Sequence, residues 1–391
     1  MTTAYIVAAK RTAGTKAKKG GFKDVRPDEL AAQVIANVVQ VSGVDPVLIE
    51  DVILGCAFPE GEQGMNIGRI AAMKAKLPKT VPGMTINRFC SSGLQSISIA
   101  VDRILAGNGD AVVAGGAESM SMVPLGGNKY SADPGLMDAW PESYASMGIT
   151  AELIAKKHGI SREDQDQFAV QSHQRAAAAT ASGRFAPEIV PIEVQHALLA
   201  GVKLKQEIET ISADDGIRAD TSLAGLSKLR PAFAIGGSVT AGNSSQTTDG
   251  AAAAMVVSEG FLKEHNLTPI ARFVSYAVTG CSPEYMGMGP VYAIPQALKK
   301  AGLTLADIEL IELNEAFAAQ SLAVIKELGI NPEITNVNGG AIALGHPLGC
   351  SGAKLTATLL SEMSQRKVKY GMVSMCIGGG MGAAGIFENL V

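Results

Sequence analysis

The chain lacks the features that would place it in a membrane or outside the cell. In 391 residues no run reaches the roughly 18 apolar residues of a spanning helix. The first residues, MTTAYIVAAKRTAG, show no basic stretch followed by an apolar core and a cleavage site. They read as a strand that begins almost at once. The last, FENLV, carry no lipidation signal and no Ser-Lys-Leu address. The expectation is a soluble cytoplasmic protein with no membrane span. Cysteine is sparse: Cys56, Cys90, Cys281, Cys350 and Cys376. An odd number without an export signal argues against a disulfide framework. No Cys-x-x-Cys pair is present, so no structural zinc is expected. Charge is low, 18% of residues with a net of -4, which leaves no footprint for nucleic acid.

What is abundant is apolar surface and glycine. Hydrophobic residues make up 47% of the chain, and there are 44 glycines. A large core and many tight turns follow. The length suits two or three domains.

Strand and helix patterns alternate through both ends. Residues 28–41 place Leu30, Val34 and Val38 beside Ala31, Ile35 and Val39, at helical spacing. Asp28 reads as the cap and Gly43 as the stop. Asp51–Phe58 reads as a buried strand. After Cys90 a helix presents Leu94, Ile97, Val101, Ile104 and Leu105 on one face and ends near Gly107 and Gly109. Ala111–Ala114 is a short strand running into Gly115 and Gly116. This alternation predicts an α/β fold. The order then repeats. Gly43, Val44, Ile49 and Phe58 match Gly302, Leu303, Ile308 and Phe317 at an offset of 259 positions. At that offset Ser92 and Gly93 match Ser351 and Gly352, and Ala111–Ala114 matches Gly371–Ser374 within a residue. A pair of this kind predicts two similar packed halves. The first half is 1–120, with 251–270 returning to it, and the second is 271–391. Residues 121–250 read as an inserted loop lobe that folds over the site, with an Ala-rich helix around Gln167–Ser182.

Four segments carry candidate chemistry. In NRFCSSGLQS, Cys90 stands at a strand-to-helix junction, where free amides lower a thiol pKa. It is either a nucleophile or a buried structural cysteine. In GGAIALGHPLGCSG, His346 lies on a glycine-flanked loop, as a base for a thiol or as a loop hydrogen-bonder. In MCIGGGMGAAGIF, Cys376 opens a glycine-rich turn whose amides could receive an oxyanion. That turn could equally be packing, with an inert thiol. In IELNEAFAAQ, Asn314 and Glu315 end an apolar run, either lining a ligand crevice or capping a helix.

NRFCSSGLQ, NEAFAAQ, GGAIALGHPLGCSGA and CIGGGMG together resemble, in order, the four signature blocks of the thiolases. KLRPAF, TAGNSSQTTDGAA and MGMGP are similar to that family as well, so the resemblance covers essentially the whole chain. It implies a duplicated α/β/α/β/α core and an acyltransferase that handles 3-ketoacyl-coenzyme A. Cys90 corresponds to the acylated nucleophile and His346 to the histidine that takes its proton. Cys376 corresponds to the cysteine that exchanges a proton with the α-carbon of acetyl-CoA. Asn314 corresponds to the residue that, in the family, holds a water and forms one oxyanion hole with the histidine matched by His346. The resemblance implies that the amides of Cys90 and Gly378 form the other. Arg218 and Ser245 match positions that touch coenzyme A, in a lobe expected to bind it, and Phe317 lies beside the pantetheine. No permanent cofactor and no metal are implied, since coenzyme A and acetyl-CoA are substrate and product.

One departure narrows the resemblance. Biosynthetic acetoacetyl-CoA thiolases carry His before the Met-Gly of the lobe, where this chain has Ser146, Met147 and Gly148. The segment from Met120 to Met147 is also shorter than their tetramer-forming loop. MGITAELIAKKHGISREDQD is similar instead to the degradative 3-ketoacyl-CoA thiolases of fatty-acid β-oxidation. A homodimer is expected, with a hydratase/dehydrogenase subunit as a further partner. The alternative is acetyl-CoA C-acetyltransferase. A decarboxylating ketoacyl synthase fits less well, because Cys376 stands where such enzymes carry His or Asn. A non-catalytic acyl-CoA carrier fits less well, because such relatives lose the cysteines or the histidine.

Overall fold

The computed structural model describes residues 3–200 and 203–391. Its strands are β1 (Ala4–Arg11), β2 (Thr15–Lys16), β3 (Asp51–Gly55), β4 (Met84–Ile86), β5 (Ala111–Ser119), β6 (Ile192–Ala200), β7 (Lys203–Ile211), β8 (Thr248–Ser258), β9 (Ala271–Gly280), β10 (Leu310–Leu313), β11 (Tyr370–Ile377) and β12 (Met381–Asn389). They form one continuous mixed sheet in the order β10-β11-β12-β9-β1-β8-β5-β3-β4, made of two half-sheets, β4-β3-β5-β8-β1 and β10-β11-β12-β9. The two meet edge to edge where Tyr5 and Ile6 pair with Arg272 and Ala271. β2 extends the end of β8, and β6 with β7 forms a separate hairpin.

The pairing repeats as the sequence does. β3 runs parallel to β5, which is antiparallel to β8, which is antiparallel to β1. β10, β11, β12 and β9 follow the same sequence of senses. β4, beside β3, has as its counterpart a single parallel bridge between Ile311 and Thr335. Helices Pro27–Ser42 and Gly289–Ala301 end alike, on Gly43 and Gly302 at the same offset. Both glycines are left-handed, with φ of 72° and 68°, the conformation a glycine cap supplies.

Strand periodicity turns this pairing into layers, because alternate side chains face opposite ways. Val113 and Met255 pack with the helix Pro27–Ser42 and its neighbour Ile67–Lys74. Val112 and Val256 face the helices Ser92–Leu105 and Leu348–Arg366. Val373 and Met375 of the second sheet pack on that same central pair. Met372 and Ile386 face outward onto Gly289–Ala301 and Ala318–Leu328. Five layers result: helices, sheet, the central helix pair, sheet, helices. The central helices touch through the duplicated glycines. A Cβ on Gly93 would lie 2.6 Å from the Ala353 amide nitrogen, and one on Gly352 would lie 2.4 Å from that of Leu94. This close approach sets the start of one helix, just after Cys90, against the start of the other, just after His346.

Three local readings change. Asp28 is not the helix cap. The helix starts at Pro27, and Asp28, in its first turn, pairs with Arg26 and Lys74. A carboxylate there answers the helix dipole instead. β5 does not stop at Gly115 and Gly116 but runs to Ser119. A Cβ on Gly115 would meet the Ala252 carbonyl at 2.1 Å, and one on Gly116 that of Gly349 at 2.2 Å. Gly115 allows a tight approach of the paired strand β8 and Gly116 close contact with the helix layer, and neither marks a turn. β3 ends at Gly55, short of Phe58.

The segment between the halves is tied to the first strand by a buried ion cluster. Arg11 is fully buried and donates to Glu188 at 2.6 Å and to both Asp214 oxygens at 2.8 and 3.0 Å. Asp214 also accepts the Gly14 amide at 2.6 Å. Burial pushes the Asp214 carboxyl up, but Arg11 and Lys354 outweigh this and hold it below the usual range. Asp214→Asn would leave the guanidinium partly uncompensated. The expected loss is about 3 kcal/mol or more, measured as a lower midpoint in urea; an unchanged midpoint would contradict it.

Candidate active site

Cys90 is held by a strained turn. Phe89 just before it has φ of +41°, uncommon for an aromatic residue. Ser92 fastens the turn, its hydroxyl donating to the Phe89 carbonyl at 2.7 Å and accepting the Arg88 amide at 2.9 Å. The thiol therefore sits at the entrance to the helix Ser92–Leu105. The backbone amides of Gly378 and of Cys90 itself favour its ionised form. Burial nevertheless pushes the thiol up to about 11, with Glu118 adding to the rise.

Cys376 lies near the end of β11, and burial raises its thiol well above the usual range, with Cys90 as the next cause. Asn314 follows β10, where its amide donates to the Ser374 carbonyl of β11 at 2.9 Å. The parallel pairing of these strands brings Asn314 and Cys376 to one sheet end. His346 sits where the loop after Gly345 enters the helix Leu348–Arg366. Its amide donates to the Gln246 carbonyl at 3.0 Å, and its Nδ1 lies 2.5 Å from the Ser351 hydroxyl. That hydroxyl donates to the Pro347 carbonyl at 3.1 Å, so it accepts a proton-bearing Nδ1. Nε2 is left as the basic nitrogen, 3.3 Å from the Asn314 side-chain nitrogen. Burial, then Lys354, lowers the imidazole to about 3. The resting pair is thus a neutral thiol and a neutral imidazole. A proton must move when the thiol attacks.

Cys90, His346 and Cys376 line one cavity of about 220 Å³ with Met147, Ser245 and Phe317. Phe317 is buried, edge-on to Phe233 at 5.9 Å. Gly378 opens instead onto an adjoining groove that also reaches Cys90 and Met147. A side chain added at Gly378 would first meet Met147 and Phe89 at 3.9 Å. Arg218 stands apart on an exposed loop, where its backbone amide donates to the buried His173 at 3.1 Å. Glu315, also singled out in the sequence, is not on the cavity. It is buried, and it anchors the His346 loop by accepting from Ser172, Asn336 and the Ile342 amide. Among the described residues no cluster could hold a metal ion.

Two supporting residues escaped the sequence reading. Ser351 was visible only as a duplicated position, although its place five residues after His346 gives one helical turn of reach. Glu118 is a fully buried carboxylate at the end of β5. It accepts the amides of Ala57 and Gly349, each at 2.7 Å, and a side-chain bond from Gln63. It clamps the loop beside Phe58 to the helix that follows His346. The available signal was one carboxylate in the otherwise apolar run AVVAGGAES.

Residues 4–260 match the thiolase N-terminal domain and residues 267–389 the thiolase C-terminal domain. The chain belongs to the thiolase family. It is 54% identical over 389 residues to a Bacillus subtilis protein named 3-ketoacyl-CoA thiolase, covering 99% of this chain and all of that one. It is 46% identical to 3-ketoacyl-CoA thiolase 1, peroxisomal, of Arabidopsis thaliana, over 98% of this chain and 87% of that one. The crystal structure of the Bacillus anthracis acetyl-CoA acetyltransferase superposes with a TM-score of 0.91 at 40% identity, over 100% of this chain and 99% of that one.

Proposed function

We propose that this thiolase is a degradative 3-ketoacyl-CoA thiolase: it cleaves 3-ketoacyl-CoA with coenzyme A to acetyl-CoA and a shortened acyl-CoA. The observation that carries this is the meeting of a buried cysteine, a neutral buried imidazole and a second buried thiol on one small cavity. The names of the Bacillus subtilis and Arabidopsis relatives favour the degradative reaction. The similarity to the Bacillus anthracis structure keeps acetoacetyl-CoA formation as the second reading.

Each residue takes one task. His346 accepts the Cys90 proton through Nε2 as the sulfur attacks C3 of the substrate. The developing C3 oxyanion is met by the amides of Cys90 and Gly378. The C2–C3 bond breaks, and its electrons form the enolate of acetyl-CoA. His346 and a water held by Asn314 stabilise that enolate oxygen, and Cys376 delivers the proton to C2. Acetyl-CoA leaves, and a new coenzyme A thiol attacks the acyl-enzyme, giving its proton to Cys376; the Cys90–acyl bond breaks, the shortened acyl-CoA departs and Cys90 regains its proton from His346. Ser245, Phe317 and Met147 flank the pantetheine, and Arg218 meets coenzyme A further out. No permanent cofactor is needed.

The core halves are 1–120 with 251–270, and 271–391, with 121–250 as the coenzyme A-binding lobe. Phe317 and Ala318, packed against lobe residues Val239 and Leu226, support that placement. A homodimer is supported by β4, which ends its sheet with one edge unpaired, open to pairing by a second copy. A hydratase/dehydrogenase subunit is a further proposed partner, and the cytoplasm the proposed site. No helix among the described residues is long and apolar enough to cross a membrane.

The deciding experiment is a thiolysis profile over 3-ketoacyl-CoA chain lengths. Higher kcat/KM for 3-ketohexanoyl-CoA and longer chains than for acetoacetyl-CoA is expected. A strong preference for acetoacetyl-CoA would move the enzyme to the second reading.

A further inference from the structure

β10 places its side chains on two faces. Ile311 and Leu313 pack outward with the helix Ala318–Leu328, and Leu310 faces the central helix pair. Strand alternation puts Glu312 and Asn314 on the face of Leu310. On the helix Leu348–Arg366, Ser351 and Lys354 stand at i and i+3 and share a face. The two pairs line one cavity of about 10 Å³, together with Gly345 and Thr358. Asn314 and Ser351 are its front row: they lie 3.3 Å from His346 Nε2 and 2.5 Å from Nδ1. Glu312 and Lys354 form a second row behind them, and no step of thiolysis uses either.

Both second-row residues are buried, Glu312 at 1% exposure and Lys354 at 4%. Lys354 Nζ donates to the carbonyls of Leu344 and Gly345 at 2.8 and 3.1 Å. These residues precede His346, so the ammonium fixes the loop that carries the imidazole. An ammonium has three N–H groups, which leaves one for the cavity. Glu312 Oε1 is buried with no hydrogen-bond partner among the described residues. The cations near it are already matched. Arg11 and Lys354 face Asp214 and Glu188, and Arg184 and Arg366 pair with Glu362. Burial first, then the carboxyl groups of Glu188, Glu315 and Glu362, pushes Glu312 well above the usual range, against a smaller opposing effect of Lys354. A carboxylate there would be buried, unpaired and set among like charges, so the proton stays on. The cavity is about the size of one water, and its polar lining supplies the partners a buried water needs.

We propose that Glu312 is held as a neutral carboxylic acid and, through one internal water shared with Lys354, positions the Asn314 side chain for the enolate steps. The acid donates to the water, and the water donates to the Asn314 side-chain oxygen. This turns the amide nitrogen toward His346 Nε2, the orientation in which Asn314 holds the second, catalytic water. Glu312 touches no substrate and is a positioning residue. Its protonated state matters, because a carboxylate could not donate. The role rests on Asn314 and His346 acting as proposed.

Two measurements test it. The first is the infrared difference spectrum of wild type minus Glu312→Gln at neutral pH. A carboxylic-acid carbonyl band that shifts in heavy water is expected. Carboxylate bands in its place overturn the proposal, and this result does not depend on turnover. The second compares thiolysis with labelled-acetyl incorporation into Cys90. Glu312→Leu is expected to lower kcat for thiolysis by about ten- to a hundred-fold, the cost of a displaced catalytic group, with KM little changed. Acetyl incorporation does not use Asn314 and should persist. Glu312→Gln keeps a neutral donor of the same shape and should restore most of the lost turnover. Equal loss of both reactions in Glu312→Leu would mark a structural role, and it overturns the proposal. So does a loss in Glu312→Gln as deep as that in Glu312→Leu. Absence of acetyl incorporation in the wild type overturns the reading of Cys90 and His346, and the positioning role with it.

Discussion

Replacing Cys90 by alanine is expected to lower thiolysis by about 10⁴-fold or more, as removal of a nucleophile does elsewhere, and to abolish the acyl-enzyme. The loss should appear in kcat, because the space that holds the substrate remains. The fold should survive. Cys90 is small, and the turn around it is fastened by Ser92 and Phe89, not by the thiol. The geometry explains why the loss is so large. Burial keeps the free thiol protonated at neutral pH, with its pKa pushed up to about 11. Its nucleophilicity therefore depends on His346 receiving the proton at the moment of attack. Cys56 and Cys350 line neither the cavity nor the groove, so neither can take the place of Cys90. Thiolysis of 3-ketohexanoyl-CoA, followed through release of acetyl-CoA, together with mass analysis of the trapped adduct, makes the check. Near wild-type turnover by Cys90→Ala would end the covalent mechanism.

How far these residues could be read from sequence depends on whether their partners are local. The duplication was legible because it rests on repeated hydrophobic spacing and repeated glycines. The repeat matched Gly93 with Gly352 but did not show that the central helices touch there, which only the structure reveals. Cys90 and His346 were legible because each stands in an unusual run of small residues at a helix start. Glu118 was not, because its partners, Ala57 and Gly349, come from opposite halves of the chain. Gly115 and Gly116 misled for the same reason: the backbones that crowd them belong to β8 and to the helix after His346. The residues at 125–144 that line the adjoining groove left no trace in hydrophobic periodicity. Their apolar side chains serve neither a helix face nor a strand face of the core, so neither period is written into them.

The division of labour between the two cysteines yields the sharpest remaining test. Cys376→Ser replaces the thiol by a hydroxyl of similar size that is a much weaker acid. The step that suffers is protonation of the acetyl-CoA enolate, or its reverse. Loss of a matched general acid or base costs about 10²- to 10⁴-fold, and that loss is expected for both thiolysis and acetoacetyl-CoA synthesis. Transfer of an acetyl group from acetyl-CoA to Cys90 needs only the attacking thiol, His346 and the Gly378 and Cys90 amides. That half-reaction should persist in Cys376→Ser and disappear in Cys90→Ala. The two sites are close enough for Cys90 to disfavour ionisation of Cys376. In the proposed mechanism Cys376 serves as the acid while Cys90 carries the chain. The measurement is the rate of labelled-acetyl incorporation into the enzyme beside the rate of full turnover. Parallel loss of both in Cys376→Ser would show that the second cysteine supports the first instead of acting on the acetyl carbon.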